Sequence, residues 1–310
     1  MQENIIDNQY IIISLKDSRK SNKYFEVKDK EENIKYTIEV QKNFDPNFIV
    51  NEAKINVSLK GINNPHILKY IGFGGGPIVF NNKSKKNKLF RIFENVLDFD
   101  LFKNILKIEN GFKERYAKLI FKKILLGIDG LHKANICHRD ISIENIFLDE
   151  NYDIKISSFS INVFKDENSN LNDNSIGDKC YIAPEILSHI KYKGKKADIF
   201  SLGQLLFNLV TNLKGFKEAS ENDIYYSLIK NKKYEDYWKL EKFSNINISE
   251  SFKKLYLKMV NFSPKERPSI DEILKDDWLK EINELNEEQM NTLENEIKQE
   301  FKNREAKIKN

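Results

Sequence analysis

The hydrophobic pattern divides the chain into a strand-rich first third and a helical remainder. Runs rich in β-branched and aromatic residues, separated by polar breaks, predict strands at 10–15, 24–27, 36–40, 77–80 and 89–93. Apolar residues at helical spacing predict helices at 46–60, 112–133, 198–213 and 249–262. The polar run 81–88 is expected to join the last two strands.

The segment 281–310 differs from the rest because it is highly charged and carries one apolar stripe. Its apolar residues lie mostly three to five positions apart: Ile282, Leu285, Met290, Leu293, Ile297 and Phe301. This spacing predicts an amphipathic helix. Two interpretations stay open, a helix packed on the preceding helical region or a docking or coiled-coil segment. The segment is shorter than the roughly three to four heptads typical of a coiled coil.

Composition favours a folded domain in a reducing, cytoplasmic compartment. The 310 residues are 40% hydrophobic, and 51 Lys plus Arg against 47 Asp plus Glu give a net charge of +4. No apolar run approaches the ~18 residues of a membrane span, and the N-terminus lacks the plan of a signal peptide. Two cysteines do not make a disulfide framework. The basic cluster 83–88 lacks the interleaved aromatics expected of a nucleic-acid-binding face.

Several short motifs stand out from this pattern. The chain reads H-R-D-I-S-I-E-N from His138, and S-F-S follows from Ser158. Later it reads A-P-E ending at Glu185, A-D-I-F-S-L-G around Asp198 and P-K-E-R-P around Arg267. In order and spacing these motifs resemble those of eukaryotic Ser/Thr protein kinases, in a style nearest to calcium/calmodulin-dependent kinases. The resemblance runs over residues 10–279.

The resemblance implies an α+β fold with two lobes. The N-lobe would hold a five-stranded antiparallel sheet plus one helix, and the C-lobe would be mainly helical. The chain would divide into an N-terminal tail (1–8), a kinase-like N-lobe with its hinge (9–96), a C-lobe (97–280) and the charged helical tail (281–310).

The resemblance also assigns structural roles to motif residues. Glu185 and Arg267 would form a partly buried ion pair, which is costly to break from one side. Asp198 would accept hydrogen bonds from backbone N–H groups of the catalytic loop. The full set of structural positions is His138, Arg139, Phe159, Glu185, Asp198 and Arg267.

The catalytic loop keeps some of the family's chemistry and loses the rest. Asp140 matches the base that orients the substrate hydroxyl, and Asn145 matches a metal ligand. Ser142 stands where a Lys is usual. Ser158 replaces the Asp that holds Mg²⁺, and a neutral hydroxyl supplies no charge to offset the metal. Arg139 would be the anion partner if the activation segment were phosphorylated.

The phosphate-binding positions depart further. Aligning Val27 with the Val of G-x-G-x-x-G-x-V leaves none of the three glycines, so the backbone could not approach phosphate as closely. Glu39 stands where the third strand carries a Lys. Reversing a unit charge at about 4 Å changes the interaction with phosphate by several kcal/mol. The helix position that would pair with this Lys is Ile55 rather than Glu.

The adenine slot and hinge can be assigned by the same resemblance. Phe93 would be the gatekeeper, with the hinge running through Glu94 to Val96. The cofactor-binding positions are then Val27, Thr37, Glu39, Phe93, Glu94, Val96 and Phe147. Because so many of the ligand-binding positions are altered, ATP and Mg²⁺ binding is expected to be weak or absent.

These joint departures predict a pseudokinase that works by binding a protein, either an active kinase or its substrate, and neither nucleic acid nor membrane. The alternative is an active ATP-dependent Ser/Thr kinase with a rewired phosphate-binding site. It would use Asp140 as base, with Lys20 or Lys23 in place of the strand Lys. A third interpretation places the function in the segment 281–310.

Overall fold

The computed structural model describes residues 4–18, 22–42, 50, 59, 62–97, 101–109, 111–157, 164–165, 178–243 and 246–309. The chain divides into two compact units. The sheet unit comprises Met1–Leu101 and Phe147–Ser157, and the helical unit comprises Phe102–Ile146 and Ser158–Asn310. The predicted α+β class is confirmed, since one unit is built on a sheet and the other mainly on helices.

The strands are β1 (Ile5–Ile6), β2 (Tyr10–Ser18), β3 (Asn22–Asp29), β4 (Lys35–Gln41), β5 (Tyr70–Phe80), β6 (Lys83–Glu94), β7 (Ile136–Cys137), β8 (Ile146–Leu148), β9 (Ile154–Ile156) and β10 (Phe164–Lys165). The first six pair antiparallel and close into a barrel in the order β1-β2-β3-β4-β6-β5. β8 pairs with β9, and β7 pairs with β10.

The sheet has one strand more than the five expected. Ile5 pairs with Ile11 of β2 and with Val79 of β5, so β1 bridges the two edges of the sheet. Ile6 is fully buried. Residues 1–8 were expected to be a tail outside the domain. Two apolar residues among polar neighbours give too short a pattern to predict a strand, although burying them is enough to close the sheet.

The apolar core of the sheet unit is one cluster of alternate strand residues. Its buried members are Ile6, Tyr10, Ile12, Phe25, Val27, Ile38, Val40, Ile78, Phe90 and Ile92. Because side chains alternate between the faces of a strand, Thr37 and Glu39 lie on the opposite face of β4 from Ile38 and Val40. The sheet therefore separates an apolar face from a second face on which polar side chains meet.

The polar run 81–88 is mostly strand, not a connecting loop. The turn consists of Asn81 and Asn82, whose φ angles of 51° and 60° lie in the left-handed region that Asn tolerates. β6 begins at Lys83 and pairs with β5. Its first residues are exposed, so they lack the apolar alternation by which a strand is predicted.

The helical unit follows the predicted pattern closely. Its α-helices are α1 (Leu101–Ile108), α2 (Glu114–Lys133), α3 (Pro184–Leu187), α4 (Gly194–Thr211), α5 (Ile224–Lys230), α6 (Tyr234–Trp238), α7 (Glu250–Met259), α8 (Ile270–Leu274), α9 (Lys280–Asn283) and α10 (Glu287–Lys309). Shorter 3-10 turns occur at Ile143–Asn145, Lys179–Tyr181, Glu241–Phe243, Pro264–Glu266 and Asp277–Leu279. Within the described ranges, every helix is too short or too polar to span a membrane. Most of the predicted helix 46–60 lies outside the described residues.

The charged tail contains the end of α9 and the long helix α10, and the packing of α10 on the helical unit favours the first of its two interpretations. The apolar stripe of α10 is buried, and the Phe301 ring lies 5.9 Å from Phe102 and 5.6 Å from Phe112. The Arg304 guanidinium, 2% exposed, donates to the carbonyl oxygens of Ile105 at 3.2 Å and Gly111 at 3.0 Å. The tail thus completes the core of this unit.

Candidate functional site

The catalytic loop of the helical unit is held by one buried carboxylate. Asp198 on α4 accepts hydrogen bonds from the backbone N–H groups of His138 at 2.9 Å and Arg139 at 2.8 Å. His132 Nε2 lies 2.8 Å from Oδ2, the same oxygen that accepts from the His138 N–H. Burial by itself would raise the pKa of Asp198, but His132, His138 and the Arg139 N–H hold that pKa below its ordinary value. The expected role of Asp198 is confirmed.

Asp140 and Asn145 are brought together, but they bind each other. The Asn145 amide donates to the Asp140 carbonyl at 2.7 Å and to its carboxylate at 3.0 Å. It also lies 3.4 Å from the Ser142 hydroxyl. Asn145 and Ser142 are buried. These contacts give Asp140 and Asn145 a role in holding the loop that is independent of metal binding.

His138 and Arg139 are fixed beside this loop. The His138 ring is buried, and its Nδ1 lies 3.3 Å from the backbone N of Asp140. Arg139 has a φ of 66° and donates to the Tyr192 hydroxyl at 2.8 Å. The position expected to bind a phosphate is therefore engaged by Tyr192.

The expected ion pair of Glu185 and Arg267 is present. Two guanidinium nitrogens of Arg267 donate to the two carboxylate oxygens of Glu185 at 2.6 and 2.7 Å. The Arg267 side chain is fully buried, and that of Glu185 is 4% exposed. Arg267 also donates to the carbonyl of Asn261 at 2.8 Å and lies over the Phe200 ring. It joins three parts of the helical unit.

Several predicted positions lie outside the described residues. They are Lys20, Ile55, Ser158 and Phe159. The metal-binding and activation-segment predictions that depend on them stay predictions. Phe147, by contrast, is described and is buried on β8.

In the sheet unit, Glu39 occupies the position at which the family carries a Lys, and it forms a buried ion pair with Arg91. Glu39 on β4 lies opposite Arg91 on β6 in the strand register. Arg91 donates to the Glu39 carboxylate at 3.3 Å, and the two side chains are only 8% and 6% exposed. The Tyr24 hydroxyl donates to the same carboxylate at 3.1 Å, and the Asn22 amide donates to it as well. The Glu39 carboxylate thus accepts hydrogen bonds from Arg91, Tyr24 and Asn22.

Sequence reasoning missed Arg91 and misplaced Lys23. Lys23 pairs with Val40, so it lies on the other face of the sheet from Glu39 and cannot stand in for the missing Lys there. Arg91 could have been found from the register of two predicted strands, because a buried carboxylate needs a donor across the sheet. The register itself was not available from the sequence.

Val27 is also on the wrong face to line an adenine slot. It pairs with Tyr36 and belongs to the apolar core, whereas Thr37 pairs with Glu26. The side chain next to Thr37 is therefore a carboxylate. The prediction that Val27 and Thr37 share one slot is wrong, because a shift of one residue in register exchanges the faces of a strand.

Val96 of the hinge is buried, and both of its backbone groups are hydrogen-bonded within the chain. The Val96 N–H donates to the Thr37 hydroxyl at 3.3 Å, and the Val96 carbonyl accepts from the Lys16 ammonium. The Asn95 side-chain oxygen accepts from Lys16 at 3.2 Å and from Thr37 at 3.1 Å. These residues do not fit an adenine base, because the groups that would recognise it are occupied.

Phe93, and Glu94 at the start of the hinge, are also held by side-chain contacts. Phe93 is buried and its ring packs edge-on against Tyr70 at 5.6 Å. The Glu94 carboxylate accepts from the Lys69 backbone N–H at 2.8 Å and pairs with Lys155 at 3.1 Å. Lys155 is buried on β9 and was not singled out in the sequence.

Comparison with known proteins identifies the family. The sequence model described as "Protein kinase domain" matches residues 18–279. The chain is 30% identical over 210 residues to CBL-interacting protein kinase 26 of Oryza sativa subsp. japonica, covering 67% of this chain and 40% of that protein. It is 29% identical over 198 residues to CBL-interacting serine/threonine-protein kinase 15 of Arabidopsis thaliana, covering 63% and 44%.

The match to these relatives is partial in length. CBL-interacting protein kinase 2 of Oryza sativa subsp. japonica is 27% identical over 236 residues, which covers 75% of this chain and 48% of that protein. The chain therefore spans less than half the length of the curated relatives it matches. Together with the fold and the catalytic-loop geometry, the family match confirms the resemblance, and the chain belongs to the protein kinase domain family.

Proposed function

We propose that this chain is a kinase-like domain without phosphotransferase activity, which acts as a scaffold or allosteric regulator by binding a protein. Members of its family transfer phosphate from ATP with Mg²⁺. The observation that carries the proposal is the buried Glu39–Arg91 pair. Glu39 holds the position from which the family's Lys reaches the phosphates, and it is bound by Arg91, Tyr24 and Asn22.

The electrostatics of this pair oppose phosphate binding. A triphosphate at this face would meet a buried carboxylate at the position where the family supplies an ammonium. Like charges about 4 Å apart repel by several kcal/mol at intermediate dielectric. Arg91 offers compensation only by leaving Glu39, and breaking a buried pair from one side is costly.

The sequence departures add to this argument. The glycines that let backbone approach phosphate are missing, and Ser158 replaces the metal-binding Asp. Asp140 and Asn145 are retained, but their mutual hydrogen bonds give them a structural reason to remain. We therefore assign weak or absent binding of ATP and Mg²⁺ to this domain.

The partner we propose is a protein, either an active kinase or its substrate. The relatives' names describe kinases that interact with CBL, which supports a protein as the class of partner. Cys137 and Cys180 are both buried thiols, and burial raises the pKa of Cys180. Two buried thiols fit the reducing, cytoplasmic location that we propose.

The test is phosphate incorporation measured by intact mass. Purified chain is incubated with ATP and either Mg²⁺ or Mn²⁺, beside an Asp140→Asn variant. We expect no added mass in either protein. Added mass in the wild type alone would overturn the proposal in favour of an active Ser/Thr kinase with Asp140 as base. In that case Arg91→Met would show whether Arg91 replaces the missing Lys.

A further inference from the structure

We propose that the hinge of the sheet unit is closed to purine bases by a hinge network of the chain's own side chains, Lys16, Glu26, Thr37 and Asn95. This inference rests on the proposed function and deepens it. It names the class of ligand that is excluded, adenine and its nucleosides, and the residues that exclude it. It concerns the base, whereas the Glu39–Arg91 pair concerns the phosphates.

The first argument is hydrogen bonding. Adenine carries ring nitrogens that accept and an amino group that donates, so it needs a backbone N–H and a backbone carbonyl. At Val96 both groups are used: the N–H reaches Thr37 Oγ1 at 3.3 Å, and the carbonyl accepts from Lys16. Val96 and Thr37 are fully buried. A base that binds at Val96 would have to displace both side chains and leave their polar atoms without these partners.

The second argument is charge. Flat aromatic ligands are held mainly between apolar walls. Here the wall beside Thr37 is the Glu26 carboxylate, which lies 4.0 Å from the Lys16 ammonium and 3.1 Å from that of Lys35. The side chains of Lys16 and Glu26 are 9% and 17% exposed. A base stacked at this place would cover an ion pair and would not gain apolar contact.

Burial alone would raise the pKa of Glu26, but Lys16 and Lys35 outweigh it and the pKa is lowered. The carboxylate therefore stays ionised near neutral pH. This keeps the charged wall in place under the conditions in which a nucleotide would be offered.

The third argument is that the contacts form one connected network. The Asn95 side chain accepts from Lys16 and Thr37 and donates to Glu26 at 3.5 Å and to Glu150 at 2.8 Å. It thereby ties β2, β3, β4 and the turn between β8 and β9 to the hinge. All of these residues belong to the sheet unit.

The local fold of β2 supplies Lys16 for this purpose. The register of β2 with β3 shifts between Leu15 and Asp17, so Lys16 occupies an irregular position in the ladder. Bulges of this kind re-aim a side chain. The ammonium of Lys16 reaches the hinge carbonyl of Val96.

The binding test uses adenosine, which lacks phosphate and so reports on the hinge alone. Calorimetry or ligand-observed NMR is run on the wild type, on a Lys16→Met/Thr37→Val variant and on a Lys85→Met control at the exposed hairpin. We expect no saturable binding by the wild type or the control, and saturable binding by the double variant with an affinity at least tenfold above the detection limit of the wild-type titration. Saturable binding to the wild type, or a folded double variant that binds no better, would overturn the inference.

A second measurement covers a double variant that does not fold. Hydrogen exchange of the Val96 amide is compared between the wild type and Thr37→Val, which is nearly isosteric. We expect at least tenfold faster exchange of this one amide in Thr37→Val. An unchanged rate would mean that Thr37 does not occupy the hinge donor, and would refute the network.

The two proposals fail separately. Adenosine binding to the wild type without any phosphate incorporation would remove the hinge inference and leave the non-catalytic function standing. Phosphate incorporation that depends on Asp140 would remove the proposed function itself.

Discussion

Two buried Arg–carboxylate pairs of this chain differ in geometry and in kind. Arg267 and Glu185 in the helical unit meet through two bonds of 2.6 and 2.7 Å, and the pair is the one expected of the family. Arg91 and Glu39 in the sheet unit meet at 3.3 Å. At the position of Glu39 the family carries a Lys, which pairs with a different residue. The first pair holds a scaffold, whereas the second occupies the position at which the family carries its phosphate-binding Lys.

The same contrast extends to neighbouring residues. In the helical unit Asp198 holds the catalytic loop in the family's manner. In the sheet unit Thr37 and Lys16 bind the backbone groups that a base would need. The fold-forming contacts of the helical unit are thus those expected of the family, whereas the described positions at which the family binds its ligand make contacts within the chain.

Arg267→Ala, in the helical unit, is expected to have the largest effect on stability. It leaves the buried Glu185 carboxylate without its guanidinium, which should cost about 3–5 kcal/mol of unfolding free energy. Urea unfolding followed by tryptophan fluorescence reports on this unit, because Trp238 and Trp278 both lie in it. Lys265→Ala, a neighbour on the same turn, is the control. A loss no larger than that of the control would show that the pair is not structural.

Glu39→Gln tests the sheet side and should have a smaller effect. It removes one charge but keeps an acceptor for Tyr24, so we expect a loss of about 1.5–3 kcal/mol. Hydrogen exchange of β3, β4 and β6 measures it, with the exposed Glu31→Gln as control. In a double-mutant cycle with Arg91→Met the two losses should be less than additive. Additive losses would mean that the pair does not interact.

The contribution of Asp198 to the stability of the fold should depend on pH. The pKa of Asp198 is lower in the folded chain than its ordinary value of about 3.9. The ionised carboxylate therefore stabilises the fold at pH values above about 3.9. That contribution is lost as the pH falls through the folded-state pKa. The stability difference between wild type and Asp198→Asn should therefore be largest near neutral pH and shrink below about pH 4. A difference that stays constant over this range would contradict the assignment.

Asp140→Asn should have the smallest effect. The new amide oxygen can still accept from Asn145, so stability should change by no more than about 0.5 kcal/mol. Urea unfolding beside the wild type measures the change. A much larger loss would mean that the charge of Asp140, and not only its hydrogen bond, holds the loop.

Local sequence signals predicted much of this molecule. The periodicity of 112–133 gave α2, and the stripe of 281–310 gave α10, because each depends on residues close together in the chain. The motif residues Glu185, Arg267 and Asp198 were placed correctly because their spacing is that of the family. Few of these positions required knowledge of strand pairing.

What the sequence did not reveal depends on strand register. The faces of Val27 and Lys23, the partner of Glu39 and the aim of Lys16 all follow from which residues lie opposite each other. A one-residue shift reverses a face, and two bulges interrupt the pairing of β2 with β3. β1 was missed for a related reason, since its two residues become a strand only through the edges they join.

The docked helix α10 makes the folding unit longer than the family's own boundary. The family match ends at residue 279, yet Phe301 lies against Phe102 and Phe112, and Arg304 binds carbonyl oxygens beside them. A fragment cut at that boundary would leave two aromatic rings facing water and remove the guanidinium from those oxygens. A recombinant fragment of this domain should therefore extend to about Arg304, about 25 residues past the end of the family match.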